Sequence, residues 1–250
     1  MIDATFALSA VLAAASPSSG AAASPSHPWP GDRLGRAESL AALQSLELML
    51  LTRDSATLAL DDWCADHHID APGSKIVADR DRTITKTPTA DQRRRLGVTD
   101  DEPIRYRRVR LRCGSHVLSE ADNWYVPSRL TPEMNAALEN SDTPFGRVVQ
   151  PLRFRRQTLS ARLLWSPLPT GWDTGAPIQD GPATLAIPPY VIENRALLIT
   201  AAGTPFSEVV ETYTRNVLDF APPPVSSACG EARCSRKPSA IGHARTHDGV

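Results

Sequence analysis

The clearest periodic signal in the chain is a leucine stripe over residues 33–52, where Leu34, Leu40, Leu43, Leu46 and Leu50 recur at spacings of three, four or their sums. That spacing gathers apolar side chains on one face of an amphipathic helix. Asp54 and Ser55 interrupt the stripe, and residues 57–67 resume as either a second helix or a helix-to-strand transition. Beyond Pro72 the period falls towards two, and strands are expected at 75–79, 104–113, 117–126, part of 152–164, 196–201 and 205–213. Among them, residues 131–140 read as a short helix opened by Thr131, Pro132 and Glu133, with proline in the first turn and an early acid that suits the helix dipole. Strands with few intervening helices predict an α+β fold, an antiparallel sheet backed by helices on one face.

The most informative alternation lies in the hairpin. Val109, Leu111 and Cys113 alternate with Arg108, Arg110 and Arg112, so the apolar trio faces the core and the three arginines the opposite side. A three-residue loop at 114–116 sets Arg110 opposite Glu120 and Arg108 opposite Asp122. Two readings follow. The arginines form cross-strand surface ion pairs worth about 0–1 kcal/mol, or one of them, covered by other segments, holds an anionic ligand through a charge-assisted bond worth about 1.5–3 kcal/mol.

Both ends depart from these patterns. Residues 1–31 are rich in Ala, Ser and Pro and are expected to lie outside the fold. Residues 6–15 have the length and small-residue ending of a signal-peptide core, although Met1-Ile2-Asp3 supplies no positive charge. The expected location is therefore cytoplasmic if residues 1–15 are retained, and periplasmic or secreted if they are removed. Residues 221–250 read as a disordered tail after Pro222-Pro223-Pro224. Cys229, Cys234, His243 and His247 are metal-ligand types, but no compact pattern surrounds them and no metal is expected. Residues 32–220 remain as one domain of roughly 190 residues. Inside it, Cys64 and Cys113 either pair or are small buried residues. The Pro- and Gly-rich stretch 165–189 is a lid or a long loop.

Charge and composition then exclude function classes. With 27 Lys and Arg against 28 Asp and Glu, the chain lacks the basic excess of a nucleic-acid binder. No window approaches the roughly 18–20 uninterrupted apolar residues of a membrane-spanning helix. All but Lys75, Lys86 and Lys237 of the basic residues are Arg, which reflects either genome composition or bidentate carboxylate binding. The absence of a Gly-x-Ser-x-Gly elbow argues against a serine hydrolase.

Four motifs, in order and at about the right spacing, resemble those of chorismate lyase and its wider superfamily. They are Leu50-Leu51 with Asp54-Ser55-Ala56-Thr57, Arg108 to Cys113 continuing to Val126-Pro127-Ser128, Thr143-Pro144-Phe145-Gly146-Arg147, and Gly203-Thr204-Pro205 followed by Glu211. The resemblance implies an antiparallel sheet of about six strands, helices on one face and loops covering an internal ligand pocket. It implies elimination of pyruvate from chorismate to give 4-hydroxybenzoate or a related hydroxybenzoate, with no metal and no cofactor. The ligand is then a small aromatic or cyclohexadiene carboxylate, and the protein a monomer without nucleic-acid or integral-membrane association.

Carried over by position, Arg108 holds the ligand carboxylate, Ala56 and Phe145 contact the substrate, and Glu211 meets the ring hydroxyl if one extra residue follows Pro205. Strand parity counted from Pro205 selects Glu208 instead, and a bulge in the last strand reconciles the two. The same fold serves as the effector-binding domain of one class of bacterial regulators. No helix-turn-helix pattern precedes it here, so the alternative is a non-catalytic binder of small aromatic acids.

Overall fold

The leucine stripe forms α1 (Arg33–Thr52), which starts where the Asp32 carboxylate accepts the Gly35 N–H at 2.7 Å and stops as Arg53 turns extended. Leu40, Leu43, Leu46 and Leu50 are buried, whereas Leu34 sits at the exposed end of the stripe. Ser55 caps a second helix, α2 (Ala56–Asp66), so residues 57–67 continue as helix and not as a transition to strand. The computed structural model describes residues 26–179 and 181–224. The apolar run at 6–15 and Cys229, Cys234, His243 and His247 lie outside the described residues.

Six strands follow: β1 (Val77–Asp81), β2 (Arg105–Cys113), β3 (His116–Tyr125), β4 (Arg155–Leu163), β5 (Tyr190–Ile199) and β6 (Pro205–Thr214). They form one sheet in the order β1-β2-β3-β6-β5-β4, with every neighbouring pair antiparallel. This is the α+β architecture expected from the sequence. The chain leaves β3 in the middle of the sheet and re-enters at the far edge, passing through α4 (Pro132–Asn140) and the one-turn helix α5 (Phe145–Val148). That crossing lays α5 beside α2, beneath the centre of the sheet.

Two apolar clusters back one face of the sheet. One joins α1 and α2 to β2 and β3 through Leu43, Leu60, Trp63, Val109 and Leu111. The other joins α4 and α5 to the β5–β6 end through Leu138, Phe145, Leu198 and Phe206. On the opposite face a short helix, α3 (Ala90–Leu96), buries Leu96 against Val126 and Leu197. The Cys64–Cys113 disulfide, with a Cα separation of 6.4 Å, ties α2 to β2.

The hairpin has the expected register, Arg110 opposite Glu120 and Arg108 opposite Asp122, but reaches it differently. Cys113 pairs with His116 across a two-residue turn in which Gly114 adopts φ 54°, and a bulge at Leu118 restores the count.

The domain boundary expected at residue 31 moves outwards. Trp29 is buried, its indole N–H donates to the Leu218 carbonyl at 2.8 Å, and its ring meets Phe220 edge-on. A large aromatic in a Pro- and Ser-rich segment is thus recruited to the core. The 165–189 stretch docks on this segment through the Leu185 N–H to Trp29 carbonyl bond at 2.8 Å. None of its described residues lines the cavity described below, so it is a packed loop and not a lid. No helix among the described residues is long and apolar enough to cross a membrane.

Candidate functional site

Between the two apolar clusters lies a small cavity of about 40 Å³. Its roof is the helix-side face of the sheet, and its floor is the start of α2 (Ser55, Ala56, Thr57) with Phe145 and Gly146 of α5. Val109, Leu111, Ala121, Leu198 and Val209 make much of the roof apolar. The floor is close-packed: a β-carbon at Gly146 would lie 2.6 Å from Ser55 Oγ and 3.1 Å from Thr57 Oγ1. Arg147, next in the turn, clamps α5 to α2 by pairing with buried Asp61 at 2.6 Å, while Asp61 also accepts the Ile76 N–H at 2.8 Å.

Three ionisable side chains from different strands enter this apolar space. Arg107 of β2 has the same parity as Val109 and Leu111, so the strand period delivers it to the core side. It is only 2% exposed. Its Nη2 donates one long bond, 3.3 Å, to the Thr143 carbonyl, its Nε has no partner, and no carboxylate among the described residues pairs with it. Burial, with a smaller contribution from the nearby Arg80 charge, lowers its pKa to about 10.

The other two groups neutralise one another. Arg156 of β4 donates to Glu211 Oε2 of β6, and both side chains are buried. Tyr213 donates its hydroxyl to the same oxygen at 3.2 Å, leaving Oε1 without a partner among the described residues. Burial, reinforced by the Glu211 charge, raises the Tyr213 phenol well above its ordinary pKa. Asn123 also lines the cavity, its Oδ1 accepting from Ser207 at 2.6 Å. Asp54 also lines the cavity, so Arg107 and Arg156 face Glu211 and Asp54, and among the buried charges only that of Arg107 has no ion-pair partner among the described residues. Among the described residues no cluster of His, Cys, Asp or Glu is assembled to hold a metal ion.

Ala56, Phe145 and Glu211, three positions singled out in the sequence, come together here. Arg108 does not. It lies on the opposite face, engaged with Asp122 at 3.0 Å and Glu120 at 2.7 Å, while Tyr106 also donates to Asp122. Adjacent strand residues face opposite ways, so the arginine that β2 delivers to the cavity is Arg107 and not Arg108. Glu208 is also outside the cavity. It is fully buried on the α3 face, where Arg95 grips it in bidentate fashion at 2.7 and 2.8 Å.

The choice between Glu208 and Glu211 is made by a bulge in β6. Leu198 pairs with Ser207 and Ile199 with Pro205, so Phe206 is the extra residue. Parity counted from Pro205 fails at that point. Arg107 and Arg156 were missed by sequence reasoning: the first was visible by extending the strand alternation two residues back from Val109, whereas Arg156 carries no local signal.

No family profile matches the chain. It is 50% identical over 222 residues to the uncharacterized protein y4mC of Sinorhizobium fredii, covering 88% of this chain and 93% of that one. Among solved structures it is similar to PhnF of Mycobacterium smegmatis, with a TM-score of 0.43, 10% identity, and coverage of 78% of this chain and 90% of that one. The ligand-binding domain of a putative GntR-family transcriptional regulator from Bordetella bronchiseptica gives a TM-score of 0.36 at 14% identity, covering 58% of this chain and 85% of that one.

Proposed function

The chain belongs to the family of the Sinorhizobium fredii protein y4mC, and we propose that it binds a small aromatic or cyclohexadiene carboxylate in the cavity between sheet, α2 and α5. The observation that carries this reading is Arg107, a guanidinium 2% exposed without a carboxylate partner among the described residues. An uncompensated buried charge costs several kcal/mol, and an anionic ligand offsets that cost by forming charge-assisted bonds. The walls of Val109, Leu111, Phe145 and Leu198 suit a ring. Isothermal titration with 4-hydroxybenzoate tests the reading: saturable binding lost in Arg107→Met supports it, and equal binding by both proteins rejects it.

A second reading, elimination of pyruvate from chorismate, is favoured by the convergence of Ala56, Phe145 and Glu211, the positions that the resemblance to chorismate lyase marks as substrate contacts. In that reaction Arg107 orients the substrate through a carboxylate, the role the resemblance gave to Arg108. Glu211, held by Arg156 and Tyr213, accepts a hydrogen bond from the ring hydroxyl through Oε1. Aromatisation supplies much of the driving force, so the protein's share is positioning in a dry pocket. Incubation with chorismate that releases both pyruvate and 4-hydroxybenzoate supports the lyase reading; binding without release leaves the binder.

A further inference from the structure

The outer side of α1 departs from the pattern of a solvent-facing helix. Leu34, Ala37, Ala41, Gln44, Ser45 and Leu48 recur at helical spacing opposite the buried Leu43, Leu46 and Leu50, and all six are exposed. None of them is charged. A helix face turned to water ordinarily collects the charged residues, yet those of α1, Arg33, Arg36, Glu38 and Glu47, all lie on its flanks. Leu34 is 48% exposed and Leu48 63%.

This face is also complementary to itself, which a two-fold contact between identical chains requires. Leu34 and Leu48 each lie seven residues from Ala41, about two turns either way, while Ala37 and Ser45 each lie four residues from it, about one turn. Turned antiparallel about Ala41, the α1 of a second copy sets its Leu48 over Leu34 and its Ser45 over Ala37. Small side chains at the centre let the two axes approach to about 8 Å.

The charges fit the same arrangement. Arg33, Arg36 and Glu47 share one flank, and the two-fold brings that flank of each copy to the same side. Glu47 lies six residues after Ala41, whereas Arg33 and Arg36 lie eight and five before it, so the partner's Glu47 comes level with the gap between the two arginines. Neither Arg33 nor Glu47 has an ion-pair partner among the described residues, and Arg36 is held by the Gly31 and Pro167 carbonyls alone. We propose that α1 is the contact helix of a homodimer, packed antiparallel on the α1 of a second copy about Ala41, with Arg33 and Glu47 pairing across the two-fold. This departs from the monomer that the resemblance to chorismate lyase implies. The interface is independent of the cavity, which no residue of α1 lines.

Sedimentation equilibrium of the full chain is expected to give a dimer. Leu48→Glu changes an exposed position, so the fold is retained, and it is expected to raise the dimer Kd at least about 100-fold. Glu47→Arg sets like charges against Arg33 twice over and is expected to weaken the dimer about tenfold, with Arg33→Glu in the same chain recovering most of that loss. Mild oxidation of Ala41→Cys is expected to join two chains through position 41, identified by mapping the linked peptide. A monomer at every concentration up to about 100 μM, or a dimer that Leu48→Glu leaves intact, overturns the proposal. So does a Leu48→Glu chain that loses stability, or loses binding to phospholipid vesicles, with no change in oligomeric state. The face then belongs to the chain's own residues or to a membrane.

Discussion

Replacing Arg107 by methionine separates stability from binding in a way that few other changes do. The side chain keeps similar bulk and loses its charge. Burial lowers the Arg107 pKa to about 10, well below the usual arginine range. At 1.36 kcal/mol per pKa unit, holding the charged form at this buried position costs about 3 kcal/mol. The pKa of this base is depressed in the folded state, so the unfolded chain holds the proton more tightly. The penalty is thus fully present below about pH 10 and is relieved only as the pH rises from there towards the range in which an unburied arginine loses its proton.

Allowing for the lost bond to the Thr143 carbonyl, Arg107→Met should stabilise the ligand-free protein by about 1–3 kcal/mol. For a domain of this size, that is a rise in Tm of roughly 3–8 °C. Affinity for 4-hydroxybenzoate should fall about 10- to 150-fold, the equivalent of a charge-assisted bond worth about 1.5–3 kcal/mol. Arg108→Ala, on the other face, should change stability by no more than about 1 kcal/mol and leave affinity intact. Thermal denaturation with and without ligand, combined with calorimetric titration, measures all of these. A methionine variant that is markedly less stable than the parent, or that binds the ligand as well, refutes the reasoning.

Other consequences follow from the surroundings of the cavity. Glu211→Gln strands the buried Arg156 guanidinium and should cost about 3–5 kcal/mol in denaturant unfolding, whereas the double change Arg156→Met with Glu211→Leu should recover most of it. Gly146→Ala drives a methyl into Ser55 Oγ and should cost about 1–3 kcal/mol and weaken ligand binding, with Ser55→Ala in the same chain restoring much of both. Replacing Cys64 and Cys113 by alanine opens a closure spanning 49 residues and should lower stability by about 4 kcal/mol on the loop-entropy scale. His67 packs against the rings of Trp63 and Phe220, and burial lowers its pKa from the ordinary histidine value. The unfolded chain therefore takes up the proton first, and stability should fall as the pH drops from 6.5 through the folded pKa. In His67→Phe that segment of the pH–stability curve should flatten.

Much of the scaffold was legible because it obeys local periods. The leucine stripe marked α1 to the residue, whereas the expected β2–β3 register rested on a three-residue loop and holds only because the bulge at Leu118 makes up for a two-residue turn. What failed was parity at irregular points. The bulge at Phe206 leaves no residue-type signature, so the side facing the cavity was ambiguous between Glu208 and Glu211 until the pairing of β5 with β6 was known. Arg107 sat on the core parity, but a charged residue at a buried strand position reads as the end of an apolar pattern. A functional anion site must break that pattern. β5 begins at Tyr190, earlier than the apolar run at 196, because Glu193 and Arg195 face away from the cavity while Asn194 is buried between them. α3 was missed for want of an apolar stripe, although its Thr89–Gln92 capping box and the left-handed Gly97 were visible signals. Arg156 meets Glu211 only because β4 and β6 flank β5, a tertiary fact without a sequence counterpart.

The central claim is that this cavity is an anion site built around Arg107, and it is tested most directly by a crystal structure of the protein with 4-bromobenzoate, whose bromine marks the ring by anomalous scattering. The account predicts a carboxylate about 2.7–2.9 Å from the Arg107 guanidinium, with the ring between Val109 and Phe145. A ligand lodged against Arg108 on the opposite face of the sheet, or a cavity left empty by a protein that binds the acid in solution, would contradict it.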